Sequence, residues 1–371
     1  MAKLITMPFF HTHISSNALQ RVREVLLSGW VSEGKLVKEF EDKINQFLNC
    51  KFSVALNSCT SALHLALGLA GVTQGDEVIL PPQTFVATGL AILMQGGVPI
   101  FSDIQYETGN ICPHSIRKKV TERTKAIIAV HWGGYPCDID EINRIAEEHD
   151  IPVIEDAAHA FGASYRGKSV GSISRFTAFS FQAIKHITTG DGGALCCLNK
   201  IDYDNARIRR WHGIDRNSSG PSILGEREYN IKTLGYKYHM NDYAAALGLG
   251  NIKDFPNNLK RIRGIANIYR KELINVPGLK LLNYNDDRES AYWLFTVLVK
   301  NRIGFIKKLK SHGIPTSVVH LRIDHNDIFG GITPNLFNQE KFNRHQVSIP
   351  IHIGLTDTDI KNVINCIRSG W

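Results

Sequence analysis

The chain has 371 residues, 43% of them hydrophobic and 21% charged, the make-up of a globular protein of about two domains with a large core. No apolar run approaches the ~18 residues of a membrane helix, and residues 1–15 carry one lysine among short apolar pieces, a poor signal peptide, so a cytoplasmic protein without a membrane partner is expected. The net charge of +8 invites an anionic partner, but its basic residues are dispersed. The densest stretches, 207–210 and 260–263, lack aromatic interleaving and read as solvated helix faces; nucleic acid is not expected, and a small diphosphate ligand suits the charge.

From about residue 52 short β-branched runs alternate with helical stretches. Strands are expected at 54–56, 77–80, 98–101, 126–130, 151–154, 176–181 and 194–198. Helices are expected at 61–69, 85–93, around 116–121, and at 139–148, where Ile139, Ile142, Ile145 and Ala146 share one face. This alternation predicts an α/β fold: a large domain with a mostly parallel sheet flanked by helices. After about 250 the pattern changes to a long amphipathic helix at 257–273, strands near 292–299 and 316–320, and helices at 305–310 and 357–367. A smaller α+β domain is expected there, dividing the chain into 1–250 and 251–371. The seven cysteines are odd in number and scattered, with no zinc-like spacing, so reduced thiols and no metal site are expected.

Polar, glycine-rich segments fall at the C-terminal ends of the predicted strands: 57–61, 83–85, 131–134, 155–159 and 180–193. In open α/β sheets the ligand crevice lies at that edge. Five such segments converging there is stronger than any one alone. The segment Asn57-Ser58-Cys59-Thr60-Ser61 joins a strand to a helix, where backbone N–H groups and the Thr60 hydroxyl suit a phosphate; by itself it reads equally as an ordinary helix cap. Asp156 lies just beyond the apolar strand 151–154, and a carboxylate at the end of a buried strand needs a donor or positive partner, either an arginine or a protonated pyridine nitrogen. Lys185 lies in a short loop between a strand ending near Ser180 and the turn Gly190-Asp191-Gly192-Gly193. A partly desolvated lysine there suits Schiff-base chemistry.

The run from Ser180 to Gly193 resembles the lysine motif of the nucleotide-sugar aminotransferases, pyridoxal-phosphate (PLP) enzymes with the aspartate aminotransferase fold. Gly29-Trp30-Val31-Ser32, Ser61-Ala62-Leu63-His64-Leu65-Ala66-Leu67, the run 155–160 and Gly235-Tyr236-Lys237-Tyr238-His239-Met240-Asn241-Asp242 extend the resemblance along much of the chain. It implies that Lys185 bonds the cofactor and later moves the proton, and that Asp156 holds the pyridine nitrogen. Thr60, Ser180 and the Cys59 amide would bind the phosphate, Phe85 would stack on the ring (its other reading is core packing), and His159 would lie near the phenolic oxygen. It further implies a homodimer in which Lys237 reaches the partner's phosphate. Cys59 stands where the family usually has glycine, Lys237 where it has asparagine, and His239 where arginine is frequent.

The reaction implied moves an amino group from glutamate to a keto group of a nucleotide-linked sugar. A PLP-dependent deoxysugar dehydratase of the same family has histidine in the lysine position; counting from Ser180 and from Gly190 both put Lys185 in that position, with His186 after it. A non-catalytic regulator on the same fold has only the basic charge in its favour. His320 and Arg322 are candidate substrate contacts in the second domain, in a segment that reads equally as a solvated interdomain loop.

Overall fold

In a computed structural model, which describes residues 7–216 and 220–371, the predicted alternation becomes one seven-stranded sheet. Its strands are β1 (Phe52–Leu56), β2 (Glu77–Leu80), β3 (Val98–Phe101), β4 (Thr124–Val130), β5 (Val153–Asp156), β6 (Phe176–Ser180) and β7 (Gly193–Cys197), in the order β1-β7-β6-β5-β4-β2-β3. All neighbours run parallel except β7, which is antiparallel to β1 and β6. Strands β2, β5, β6 and β7 are buried along their whole length, and β4 is buried except at Lys125, as expected for a sheet covered on both faces.

Two helices precede the sheet, α1 (Ser16–Ser28) and α2 (Lys35–Leu48); neither is among the elements expected from the sequence. The Asp242 carboxylate accepts from the Gly34 and Val37 amides at 2.9 and 3.0 Å, capping the start of α2. Next come α3 (Cys59–Leu69), α4 (Val86–Met94), α5 (Ile139–Glu148), α6 (Lys200–Arg209) and α7 (Asp242–Asn251). The helix expected around 116–121 is a shorter one at Pro113–Arg117.

A second, antiparallel sheet is built from β8 (Leu279–Leu281), β9 (Phe295–Val299) and β10 (Gln346–Ile349). It packs against α9 (Arg302–Ser311) and α11 (Asp357–Arg368), with α10 (Phe337–His345) beside it. The long helix α8 (Phe255–Leu273) serves both cores: Phe255 and Leu259 pack with Phe161 and Phe47, while Ile262, Ile265, Tyr269 and Leu273 pack under the second sheet. Residues 7–13 also run to this side, with Met7 on the second core and the His352 Nε2 donating to the Pro8 carbonyl.

Three expectations need correction. No strand forms over 316–320; only Ser317 pairs, with Ser348, and Val319 has φ +58. The Val318 and His320 carbonyls are instead taken by the Gln346 side-chain amide. Arg210 is not solvated: it is buried, donating to Glu41, Glu33 and the Ala55 carbonyl at 2.5, 2.6 and 3.0 Å. Arg261 and Arg263 likewise donate to backbone carbonyls, of Leu355, Ser290 and Gly162, rather than to water alone. The cysteines are all free, six buried and Cys112 half-buried. Among the described residues no cluster could hold a metal ion, and no helix is long and apolar enough to cross a membrane.

Candidate active site

The C-terminal edge of the sheet gathers the site from its strand ends upward. After β1, Ser58 caps α3, its hydroxyl accepting from the Ser61 amide at 3.0 Å. The Cys59 and Thr60 amides are the first two of the helix and have no carbonyl one turn back to bond. Next to them β7 begins at Gly193, which pairs with Leu56 on one side and Ser180 on the other. A Cβ on Gly193 would lie 2.5 Å from the Ser58 carbonyl carbon and 2.6 Å from the Cys59 nitrogen. Only a residue without a side chain lets β7 come this close, bringing the Ser180 hydroxyl and the start of α3 to one mouth. Burial pushes the Cys59 thiol well above its usual range, so it stays neutral beside that mouth and sets no negative charge against a phosphate.

Asp156 is the last residue of β5 and is buried. It accepts from the Thr88 hydroxyl at 2.8 Å and the Ala158 amide at 3.2 Å, and Thr84 joins Thr88 at 2.7 Å. Burial raises its pKa, while Thr88, Ala158 and the Lys185 charge oppose the rise. Behind it the His131 and Glu155 side chains meet at 2.8 Å, both fully buried. The His131 Nδ1 accepts from the Cys137 amide, so its proton is on Nε2 and is donated to Glu155, whose other oxygen accepts from Ser174 and Thr177. The His131 amide in turn donates to the Asp156 carbonyl at 3.2 Å.

The loop after β6 carries Lys185. It is tied back by the Thr189 amide on the Phe181 carbonyl and by Asn251 on the Thr188 carbonyl, each at 2.9 Å. The half-buried lysine ends with Nζ 3.4 Å from the ring centre of Trp293. Burial lowers its pKa to about 7, against the pull of Asp156. His159 stacks on the same indole at 3.8 Å, and burial holds it well below the usual histidine range, hence neutral. His320, lowered to about 4 by burial and the Lys185 charge, lies 5.2 Å from the Phe85 ring.

These groups line one cavity of about 480 Å³. Of the residues singled out from the sequence, Cys59, Thr60, Phe85, Asp156, His159, Ser180, Lys185 and His320 all line it. Phe85 is 55% exposed, which fits a ring offered to a ligand rather than to the core. Two residues do not join them. Lys237 is exposed, 5.9 Å from the Trp211 ring centre. Arg322 is buried and gives both its Nε and Nη2 to the Asp324 carboxylate, at 2.7 and 2.5 Å, and Nη2 also to the Thr333 carbonyl. A fully buried Asp324 requires that partner, and Arg322 does not line the cavity. Thr84, Thr88, His131, Glu155 and Trp293 were not singled out; the spacing of Thr84 and Thr88, one helical turn apart, was the readable sign of the first two.

The model of the DegT/DnrJ/EryC1/StrS aminotransferase family matches residues 12–368, nearly the whole chain. The chain belongs to this family. As one of these PLP-dependent sugar aminotransferases, it is 37% identical to the spore coat polysaccharide biosynthesis protein SpsC of Bacillus subtilis over 98% of this chain and 96% of that one. It is 29% identical to the GDP-perosamine synthase of Vibrio cholerae over 98% of each. The solved sugar aminotransferase CalS13 of Micromonospora echinospora superposes with a TM-score of 0.94 at 33% identity, over 98% of this chain and all of that one. Its structural neighbours include a sugar aminotransferase solved in both PLP and PMP forms. The cavity fits that cofactor. It offers a carboxylate for a ring nitrogen, free helix amides and a hydroxyl for a phosphate, and a low-pKa amine for a carbonyl. The buried His159 Nδ1 has no protein partner and is left for a ligand.

Proposed function

We propose that this aminotransferase moves an amino group from glutamate to a keto group of a nucleotide-linked deoxysugar, for cell-surface polysaccharide or glycoconjugate synthesis. The observation that carries the reading is the meeting of the Lys185 amine, the Asp156 carboxylate and the free amides of α3 in one cavity. The nucleotide-sugar part rests on the likeness to a GDP-perosamine synthase. Bound here, PLP supplies a carbonyl that accepts the amino group and a ring that spreads the negative charge developing at the substrate carbon.

The chain's own residues divide the remaining work. Lys185, with a pKa of about 7, is neutral in a large fraction near physiological pH and can act as nucleophile and as base. Asp156 keeps a proton on the ring nitrogen; its threonine and amide donors favour its charged form, opposing the rise that burial causes. The Cys59 and Thr60 amides, with the Thr60 and Ser180 hydroxyls, hold the phosphate. Phe85 covers the ring, neutral His159 lies beside it, and His320 faces the sugar. The assembly we infer is a homodimer in which each cavity receives Lys237 from the partner; its exposure and its absence from its own cavity support this. The test is a panel of GDP-, UDP- and dTDP-linked keto-sugars with glutamate, the products read by mass and NMR. Amination of one of them supports the reading; conversion of none, by an enzyme that does transaminate simple keto acids, overturns it.

A further inference from the structure

Trp293 reaches Lys185 from the segment that leads into the second sheet, and the proposed reaction assigns it no task. It stands two residues before β9 and is 5% exposed. Tyr292 before it has φ +50, a region bulky residues seldom enter. The Ala291 and Leu294 amides donate to the Gly134 and Gly133 carbonyls at 3.0 and 3.2 Å. A Cβ on Gly134 would lie 3.2 Å from the Trp293 nitrogen and 2.6 Å from the His159 carbonyl oxygen, so the two parts of the chain touch backbone to backbone here. This joint fixes the indole. Its Nε1–H donates to the carbonyl of Ile184, the residue before the lysine, at 2.9 Å. Its ring centre lies 3.4 Å from the Lys185 Nζ, with His159 and Phe10 parallel to it at 3.8 and 5.1 Å.

We propose that Trp293 is a positioning residue for Lys185: the indole face is where Nζ rests whenever it is not bonded to the cofactor, and the indole N–H holds the lysine loop so that the amine leaves from and returns to one place. An ammonium over an indole face is attracted by the ring quadrupole, more strongly where water is excluded. The need is kinetic as well. In a transamination cycle the lysine must let go of the cofactor and come back, and a free four-carbon stem would sample many rotamers in between. Small misplacements of a reacting group slow reactions steeply. The same face makes the protonated amine less unfavourable than burial alone would, which keeps both protonation states within reach of a group that must attack and also carry a proton.

The proposal rests on Lys185 being the lysine that holds PLP, and the experiment separates the two. In the full-length chain stripped of cofactor, competitive labelling with acetic anhydride across pH, read by peptide mass mapping, gives the ionisation midpoint of Lys185 with no cofactor involved. Stopped-flow addition of PLP followed by borohydride gives the rate at which the cofactor becomes trapped on Lys185. Calorimetric affinity for pyridoxamine phosphate, which needs no lysine bond, reports whether the cavity is intact. For Trp293→Leu the labelling midpoint should fall by about half to one pH unit, trapping should slow about tenfold or more, and pyridoxamine phosphate affinity should stay within about twofold. Trp293→Phe keeps a ring face but loses the donor, so its midpoint should hold while trapping slows about fivefold. An unchanged midpoint and rate in the leucine variant overturn the proposal, as does a fall in pyridoxamine phosphate affinity that matches the fall in rate. Should the leucine variant not fold, the phenylalanine variant decides alone, and wild-type trapping in it overturns the proposal. Trapped cofactor on another lysine would overturn the role of Lys185 and leave the labelling result standing.

Discussion

Replacing Gly193 by alanine tests the proposed phosphate site at its tightest point. The new methyl would lie 2.5 and 2.6 Å from the Ser58 carbonyl carbon and the Cys59 nitrogen, atoms that belong to backbone and cannot rotate away. To reach ordinary contact, β7 and the start of α3 must part by roughly an ångström. That motion draws the Cys59 and Thr60 amides away from Ser180, which is paired to Gly193 on the other side. A hydrogen bond to a charged group is worth about 1.5–3 kcal/mol, so weakening one such contact should reduce PLP affinity roughly 10- to 100-fold. Overpacking should also lower stability by about 1–3 kcal/mol. The assay is equilibrium binding of PLP and of pyridoxal, which lacks the phosphate, to wild type and Gly193→Ala. PLP affinity should fall while pyridoxal affinity stays within about twofold. An equal loss for both ligands would refute the assignment, because the disturbance would then not lie at the phosphate.

Asp156→Asn should keep PLP bound yet lower the glutamate half-reaction by on the order of 10² to 10³, since a neutral amide cannot hold a charged ring nitrogen; near-normal turnover in stopped-flow absorbance sinks the assignment. Lys185→Met should stabilise the cofactor-free chain in a pH-dependent way. Its folded pKa of about 7 lies below the unfolded value of about 10.4, so between these values the unfolded state binds the extra proton and wild-type stability rises with pH. The advantage of the methionine variant should therefore be full at and below pH 7 and fade toward pH 10 in urea melts; a constant difference would contradict the burial argument. Mixed dimers of Lys185→Ala and Lys237→Ala should recover roughly a quarter of wild-type activity, because random pairing puts both lesions in one site of half the dimers. Activity no higher than the parents' average, with subunit exchange proven, would show that Lys237 does not act across the interface.

Much of this architecture was readable because it depends on local pattern. β2, β3 and α5 fall where their apolar runs and the 3.6-residue spacing put them. The place of Asp156 and Lys185 on the ligand edge of the α/β sheet was readable because one ends a strand and the other lies in the loop that follows one. What was misread depends on partners far away in sequence. Arg210 sits in a basic run that looks solvated, and its acidic partners Glu33 and Glu41 lie on the other side of the sheet's whole length of chain. Trp293 looks like a core residue of a strand; only the meeting of residues 291–294 with Gly133 and Gly134 turns it toward the lysine. Arg322, a candidate contact or part of a solvated loop by its polar segment, is instead paired with Asp324 two residues on and lies outside the cavity lining. Val319 with its positive φ has no sequence signature, and with it the 316–320 strand was lost.

The most direct test of the active-site assignment is covalent. The purified protein with PLP would be reduced with borohydride, digested and mapped by mass spectrometry. The expected result is a single phosphopyridoxyl group on Lys185, lost when glutamate has first converted the cofactor to its amine form. A label on another lysine, or none on a protein that binds PLP, would contradict it.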